Sequence, residues 1–282
     1  MTKTEAAPKV GIGMPVFNGE QFISSALDSI LGQSFADFEL IISDNASTDG
    51  TERICREYAA RDRRIRYLRQ PANIGAAANF KAVLDEACSE YFMWAACDDV
   101  RSPDFIEVNL NFLTLNPEYV ASTSPNGFDD HPLDQQELVK FALDGEKFER
   151  FLQFFDHCWL SHGIFYSLIR TDVLRGCGVI GQSFIAADWA VDLYLASMGK
   201  INRTKDGYAL FGVKGISRGS SAYREFRNHL IEMLLPFYRL TRYAGELSDG
   251  FSFGQRVRIF AILMKLNLSV AFVQLRRTVF KS

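Results

Sequence analysis

From Lys9 to about Ser124 the chain alternates short apolar runs with longer amphipathic segments. The runs VGIGMPV (10–16), FELIISD (38–44), IRYLR (65–69), YFMWAA (91–96) and YVASTS (119–124) have the length and content of strands. Between them, Glu20–Leu31, Gly50–Ala60, Ala76–Ala87 and Pro103–Leu115 carry apolar residues at helical spacing. Ser47 or Asp49 can cap the second of these helices, and Pro103 suits the first turn of the fourth. Strand, helix, strand repeated four times predicts an α/β, Rossmann-like, mostly parallel central sheet with helices on both faces. Ligands of such sheets bind outside the carboxyl ends of the strands. That rule selects Pro15 to Asn18, Asp44 to Asp49, Asn73 to Gly75 and Cys97 to Asp99, one polar segment after each of the first four strands.

Beyond Ser124 the rhythm breaks. Residues 126–137 read as a loop, followed by a phenylalanine-rich helix over 145–156, a strand-like run LSHGIFYSLIR (160–170) and a helix over 188–198. A strand or hairpin is expected at 200–213, then two helices near 225–243 and 253–275. The pattern divides the chain into a domain over 1–220, with a regular half (9–124) and a mixed half (125–220), and a helical extension over 221–282.

Composition narrows the function classes. Of 282 residues 48% are hydrophobic and 23% charged, with a net charge of −3, so no electrostatic footprint for nucleic acid exists. Cys55, Cys88, Cys97, Cys158 and Cys177 are odd in number and contain no CxxC pair, which excludes a disulfide framework and a zinc site and favours a reducing cytosol. The N-terminus lacks the apolar core of a signal peptide, and no run of apolar residues is long enough to span a membrane. The expected setting is therefore cytoplasmic. After Asp249 every charged residue is basic (Arg256, Arg258, Lys265, Arg276, Arg277, Lys281), so the last helix is either a membrane-surface helix or a packed helix with a solvated basic face.

The chemistry concentrates at YFMWAACDDVRSPDF (91–105), where an apolar strand runs into Asp98 and Asp99. Adjacent carboxylates at a strand end are a turn or a cap in most chains. At the rim of a ligand crevice they also suit a hard cation such as Mn²⁺ or Mg²⁺ shared with phosphate oxygens. Gly11 and Gly13 lack the third glycine of a dinucleotide-binding turn, which discards a dehydrogenase.

Taken in order, PVFNGEQFISSALDSILGQSFADFELIISDNASTDGT (15–51), NIGAAANFKAVLDEA (73–87) and MWAACDDVRSPDFIE (93–107) resemble the N-terminal half of a family 2 glycosyltransferase of the GT-A fold. The resemblance covers roughly residues 9–120. It implies an inverting transfer of a sugar from a nucleotide-diphosphate sugar to an acceptor hydroxyl, in assembly of a bacterial surface polysaccharide or glycolipid, with a saccharide or polyprenyl-linked saccharide as acceptor. On that resemblance Pro15, Val16, Phe17, Asn18, Asp44, Asn73 and Asp98 border the donor, and Asp98 with Asp99 handles the metal. The acidic strand end departs from the family's Asp-x-Asp, with Ala96 in the first position and Asp99 available to substitute.

Inverting transfer needs a base for the acceptor hydroxyl. The family's Glu-Asp pair corresponds to Ala187-Asp188, which makes Asp188 the expected base; it is equally suited to be the N-cap of its helix, and Asp192 is a weaker second. Trp159, His162 and Tyr166 are expected near the acceptor, although a lone histidine in an apolar run is more often a core residue. Arg218 in GISRGSSAYR (215–224) is expected over the diphosphate, or else in an exposed linker, and His229 is a remote metal candidate. Two other classes compete: a nucleotidyltransferase, disfavoured because PVFNGEQ lacks a basic glycine-rich loop, and an inactive sugar-binding or scaffold protein, favoured by Ala96 and Ala187.

Overall fold

The computed structural model describes residues 7–130, 137–213 and 231–279. Strands β1 (Val10–Val16), β2 (Phe38–Asp44), β3 (Ile65–Arg69) and β4 (Tyr91–Trp94) alternate with helices α1 (Ile23–Leu31), α2 (Thr51–Arg61) and α3 (Ala76–Glu86), as the pattern predicts. A two-residue strand β5 (Val100–Arg101), α4 (Phe105–Leu115) and β6 (Tyr119–Thr123) complete this half. The second half supplies β7 (Asn126–Phe128), α5 (Lys147–His157), α6 (His162–Phe165), β8 (Leu168–Arg170), α7 (Thr171–Arg175), α8 (Ala187–Met198), β9 (Lys200–Arg203) and β10 (Ala209–Phe211). Three helices follow: α9 (Ile231–Leu234), α10 (Tyr238–Leu247) and α11 (Phe253–Val279).

The large sheet has seven strands in the order β3-β2-β1-β4-β8-β6-β9, parallel throughout except for β8, which runs antiparallel to both neighbours. Side chains alternate across it with period two. Val10, Ile12, Met14 and Val16 of β1 join Leu40, Ile42, Tyr91 and Met93 in a core under α1, α2 and α4. Ile41, Phe92 and Trp94 face the other way, into a core with α3, α5 and α8. Both faces of the sheet are thus buried, which is why its strands read as nearly continuous apolar runs.

A second sheet of three strands, β5-β10-β7, lies beyond the end of β4. It accounts for two departures from the sequence pattern. The expected hairpin at 200–213 does not form: β9 pairs with β6 in the large sheet, and β10 pairs with β5 and β7 in the small one. The segment read as a loop from 126 begins with β7, while 131–136 lie outside the described residues.

Other departures have local causes. In LSHGIFYSLIR only Leu168–Arg170 is a strand; Cys158–Leu160 is a 3₁₀ turn and His162–Phe165 is helical, because apolar runs as short as Ile164–Tyr166 fit either period. Phe165 packs flat on Trp94 at 4.6 Å between ring centres. The helix expected near 225–243 is divided, within its described part, at Pro236, which supplies no N–H and cannot continue α9 into α10. Ile259, Leu263 and Val270 of α11 belong to the same core as α8, so the C-terminal helices are built into the main packing.

The glycines of VGIGMPV serve packing. A Cβ on Gly13 would stand 2.6 Å from both Phe92 Cζ and Val83 Cγ2, so β1 and α3 approach only because position 13 is bare. Gly13→Ala should lower the free energy of unfolding by about 1–3 kcal/mol in a denaturant titration. Gly254→Ala, where a Cβ meets nothing within 4 Å, should change it by less than about 1 kcal/mol and in the stabilising direction.

Candidate functional site

The loops after β1 and β2 are laced together by hydrogen bonds. The Asn18 amide N–H donates to Ser47 Oγ (2.9 Å), and Asn18 Oδ1 accepts from the Thr48 N–H (2.8 Å). The Gly19 N–H donates to Thr51 Oγ1 (2.9 Å) and the Gly50 N–H to Glu20 Oε2 (2.9 Å). Asp49 Oδ1 accepts from the Thr51 N–H (3.0 Å) at the start of α2, whereas Ser47 is committed to Asn18. Asn45 continues the lacing to the loop after β3, donating to Asn73 Oδ1 (2.9 Å) and accepting from the Ile74 N–H (2.8 Å). Pro15 and Val16 close β1 beneath this loop, Phe17 and Asn18 project from it, and Asn73 is exposed.

Asp44 is fully buried beneath the same loop. Its Oδ2 accepts from Tyr67 Oη and Arg69 Nη1, both at 2.7 Å, and its Oδ1 from the Ser47 N–H at 2.8 Å. Burial opposes ionisation of this carboxyl, but the bonds from Ser47 and Tyr67, with the Arg69 guanidinium, outweigh it and hold the pKa below the ordinary range. The sequence reading passed over Tyr67 and Arg69. Their signal was present: Arg69 is the cross-strand partner of Asp44, and Tyr67 lies two residues before it on the same face of β3.

At the end of β4 the two aspartates divide. Asp99 is buried; its Oδ1 accepts from the Gly212 N–H (3.3 Å) and its Oδ2 lies 3.7 Å from the buried Arg101 guanidinium. Burial pushes Asp99 up to about 7, with Arg101 pulling it down and Asp98 pushing it up. Asp98 is half-buried against the backbone of Gly212, where any Cβ would collide with its carboxylate. It too is raised, by burial and then by the charge of Asp129, a residue the sequence reading left in a loop.

Among the described residues no group of three or more His, Cys, Asp or Glu side chains forms a metal site by itself. Asp99 is committed to Gly212 and Arg101. Asp98, raised in pKa beside a second carboxylate, is the group a cation would stabilise, and one carboxylate suffices for a hard divalent ion that takes its other ligands from phosphate. The donor set thus fits a metal shared with a ligand.

Asp188 is exposed in the first turn of α8, with its Oδ1 accepting from the Trp189 N–H (2.9 Å). The cap position belongs instead to Ala186, in the left-handed conformation at φ 64°. Tyr166 joins the two ends of the site: burial raises its phenol well above the ordinary value, and Asp99, Asp98 and Asp188 each push it further. Asp192, one turn below Asp188, does not reach the site. It is fully buried, neither of its oxygens accepts a hydrogen bond, and burial followed by Asp188 raises its pKa well above the carboxylate range, although the Ser161 hydroxyl pulls the other way. Trp159 is exposed beside this end, edge-on to Trp189 at 4.8 Å. His162 stands on α6, and its side chain lies outside the described part, as do Arg218 and His229.

Among the described residues the non-glycine positions of positive φ are Asn18 (53°), Ala46 (60°) and Ala186 (64°). They fall after β1, after β2 and before α8. Strain of this kind persists only where surrounding structure enforces it, and it concentrates at functional sites.

A model of the family described as glycosyl transferase family 2 matches residues 12–174. TuaG of Bacillus subtilis, whose name places it as a glycosyltransferase of teichuronic acid biosynthesis, is 34% identical over 110 residues, covering 39% of this chain and 44% of its own. The matched segments span less than half the length of the curated relatives. Residues 1–349 of Staphylococcus aureus TarS in complex with UDP-GlcNAc superpose with a TM-score of 0.68 at 16% identity, covering 91% of this chain and 71% of that one. The mannosyltransferase PcManGT of Pyrobaculum calidifontis, in complex with GDP-Man and Mn²⁺, gives 0.62 at 19% identity, covering 98% and 76%. These two likenesses show a shared fold, the GT-A fold.

Asp44→Asn should destabilise the protein by roughly 1–3 kcal/mol near neutral pH, since it removes a buried carboxylate from its hydrogen-bond donors and from half-exposed Arg69. The wild-type carboxyl titrates below its unfolded value, so its contribution is present above about pH 4 and is lost as pH falls through the folded pKa. Thermal melts of the two proteins should therefore converge towards acid pH.

Proposed function

The chain belongs to glycosyl transferase family 2, and from that premise we propose that it transfers a sugar from a nucleotide-diphosphate sugar to an acceptor hydroxyl, inverting the anomeric carbon. The observation that carries this reading is that Tyr166 packs on Phe211 at 5.4 Å between ring centres, next in sequence to the Gly212 that borders both Asp98 and Asp99, while the charges of Asp99, Asp98 and Asp188 all raise its phenol. It supports one cleft with a donor end at the strand tips and a proton-accepting end at α8.

At the donor end, Pro15, Val16, Phe17, Asn18 and Asn73 border the nucleotide. Asp44, closed off by its own partners, serves the same end through Arg69 and Tyr67. Asp98 would hold Mn²⁺ or Mg²⁺ when the diphosphate binds, with Asp99 and Gly212 fixing the place of Asp98. When bound, such an ion offsets the negative charge that develops on the leaving diphosphate.

At the other end Asp188 accepts the proton of the acceptor hydroxyl. The acceptor oxygen bonds to the anomeric carbon as the bond from that carbon to the diphosphate oxygen breaks, and the nucleoside diphosphate leaves with the bonding pair. Asp192, fully buried one turn below Asp188 and pushed up in pKa by that burial, does not compete for this role. Trp159 and His162 are assigned to the acceptor side, and Arg218 to the diphosphate. The name of TuaG supports a surface polysaccharide or glycolipid as product, built on a saccharide or polyprenyl-linked saccharide, and the UDP-GlcNAc complex of TarS supports a nucleotide-diphosphate sugar as donor.

The test is a transfer assay over a panel of nucleotide sugars with and without Mn²⁺. Asp188→Asn should lower turnover by about 10²–10⁴-fold while calorimetry shows nucleoside diphosphate binding within a few-fold of wild type. Undiminished turnover would remove Asp188 as the base. Asp98→Asn should weaken diphosphate binding and abolish its enhancement by Mn²⁺; equal enhancement in both proteins would remove Asp98 as the metal contact. Binding of nucleotide sugars without turnover in any pairing would favour an inactive sugar-binding protein.

A further inference from the structure

Helix α11 has two apolar faces, and only one is used. Ile259, Leu263 and Val270 are buried in the core. The rotation of the helix is fixed by buried Asn267, whose Oδ1 accepts from the Phe237 N–H (2.8 Å) while its Nδ2 donates to Thr241 Oγ1 (3.1 Å). With that face turned inward, Phe253 (85% exposed), Val257, Phe260 (57%) and Leu268 (60%) stand in water, with half-buried Met264 among them. These positions recur every three or four residues, so they form one continuous stripe along the helix.

Charge decides what covers that stripe. From Gly250 to the end the sequence holds no acidic residue, and exposed Arg258 and Lys265, seven residues apart, fall together along one border of the stripe. A second copy of the chain docking helix to helix would bring two basic segments together. An anionic bilayer surface instead receives the apolar stripe at the acyl boundary and the cations at its headgroups. Among the described residues no helix is long and apolar enough to cross a membrane, which fits a helix that lies on one.

The stripe is also tied to the cleft. Phe237, bonded to Asn267, stacks on Trp189 at 5.4 Å, next in sequence to Asp188, and lies 6.4 Å from exposed Trp159. Exposed Ile231 and Leu234 stand on α9 just before it.

We propose that the outer face of α11 docks the protein on a membrane bearing anionic lipids, with the α8 end of the cleft held beside the lipid. The docking stands on the helix alone and its readout is lipid binding, whereas the placement of the cleft rests on the proposed function, so failure of one is distinguishable from failure of the other.

Deleting α11 would open the core, so the experiment uses point variants of the full chain in vesicle co-sedimentation. The intact protein should bind phosphatidylglycerol/phosphatidylcholine vesicles, bind phosphatidylcholine alone at least ten-fold more weakly, and release from the anionic vesicles as salt rises. The double variant Phe260→Glu/Leu268→Glu should lose at least ten-fold in vesicle affinity with an unchanged thermal midpoint. Arg258→Gln/Lys265→Gln, which leaves the stripe intact, should weaken binding and flatten its salt dependence. The proposal is overturned if the intact protein does not sediment with anionic vesicles, or if the glutamate variant binds as well as wild type. It is also overturned if the intact protein is a dimer in solution that the glutamate variant dissociates, since the stripe then belongs to a second copy.

Discussion

A carboxylate carried into the interior must be given partners or be pushed towards its neutral form, and the acids of this protein are organised by that constraint. Asp44 takes the first course, surrounded by Ser47, Tyr67 and Arg69 and held ionised. Asp99 stands between the two courses, buried beside Arg101 and raised to about 7. Asp192 takes the second, with no hydrogen-bond partner and a pKa well above its ordinary range. Asp98 and Asp188 keep contact with solvent. The buried acids are thus the frame that positions the accessible ones.

The parallel sheet is what brings these acids within reach of one another. Parallel strands deliver all their carboxyl ends to one edge, and the crossover helices that make this possible bury both faces of the sheet. The small sheet completes the arrangement from outside. By pairing β10 with β5 and β7 it brings Gly212 and Asp129 against Asp98 and Asp99, from segments more than a hundred and about thirty residues away along the chain. The loop conformations are held tightly enough to keep Asn18, Ala46 and Ala186 in the left-handed region, a cost of order 1–3 kcal/mol each that the lacing hydrogen bonds and the packing of α8 must offset.

The first half was legible because its signals are local. Strand and helix periods alternate over 10–124, and each strand end announces itself by a change from apolar to polar residues. The second half was less so. A mixed stretch such as 160–170, with only short apolar runs, fits a strand or a helix, and packing against Trp94 and α8 selects the helical turns. No local feature of 200–213 says that β9 and β10 serve different sheets, because that choice is made by β6 and β5, the latter more than a hundred residues earlier.

The sequence alone determined that carboxylates stand at the strand ends, that the glycines of β1 are not a dinucleotide turn, and that the last helix is basic. Each follows from residue identity and short-range spacing. Tertiary structure decided which carboxylates are open and which are closed, which residues complete them, and which apolar face of α11 is left in water. Those outcomes depend on burial and on partners distant in sequence, and a pKa or an exposed face is a property of the surroundings of a residue, which a linear pattern does not contain.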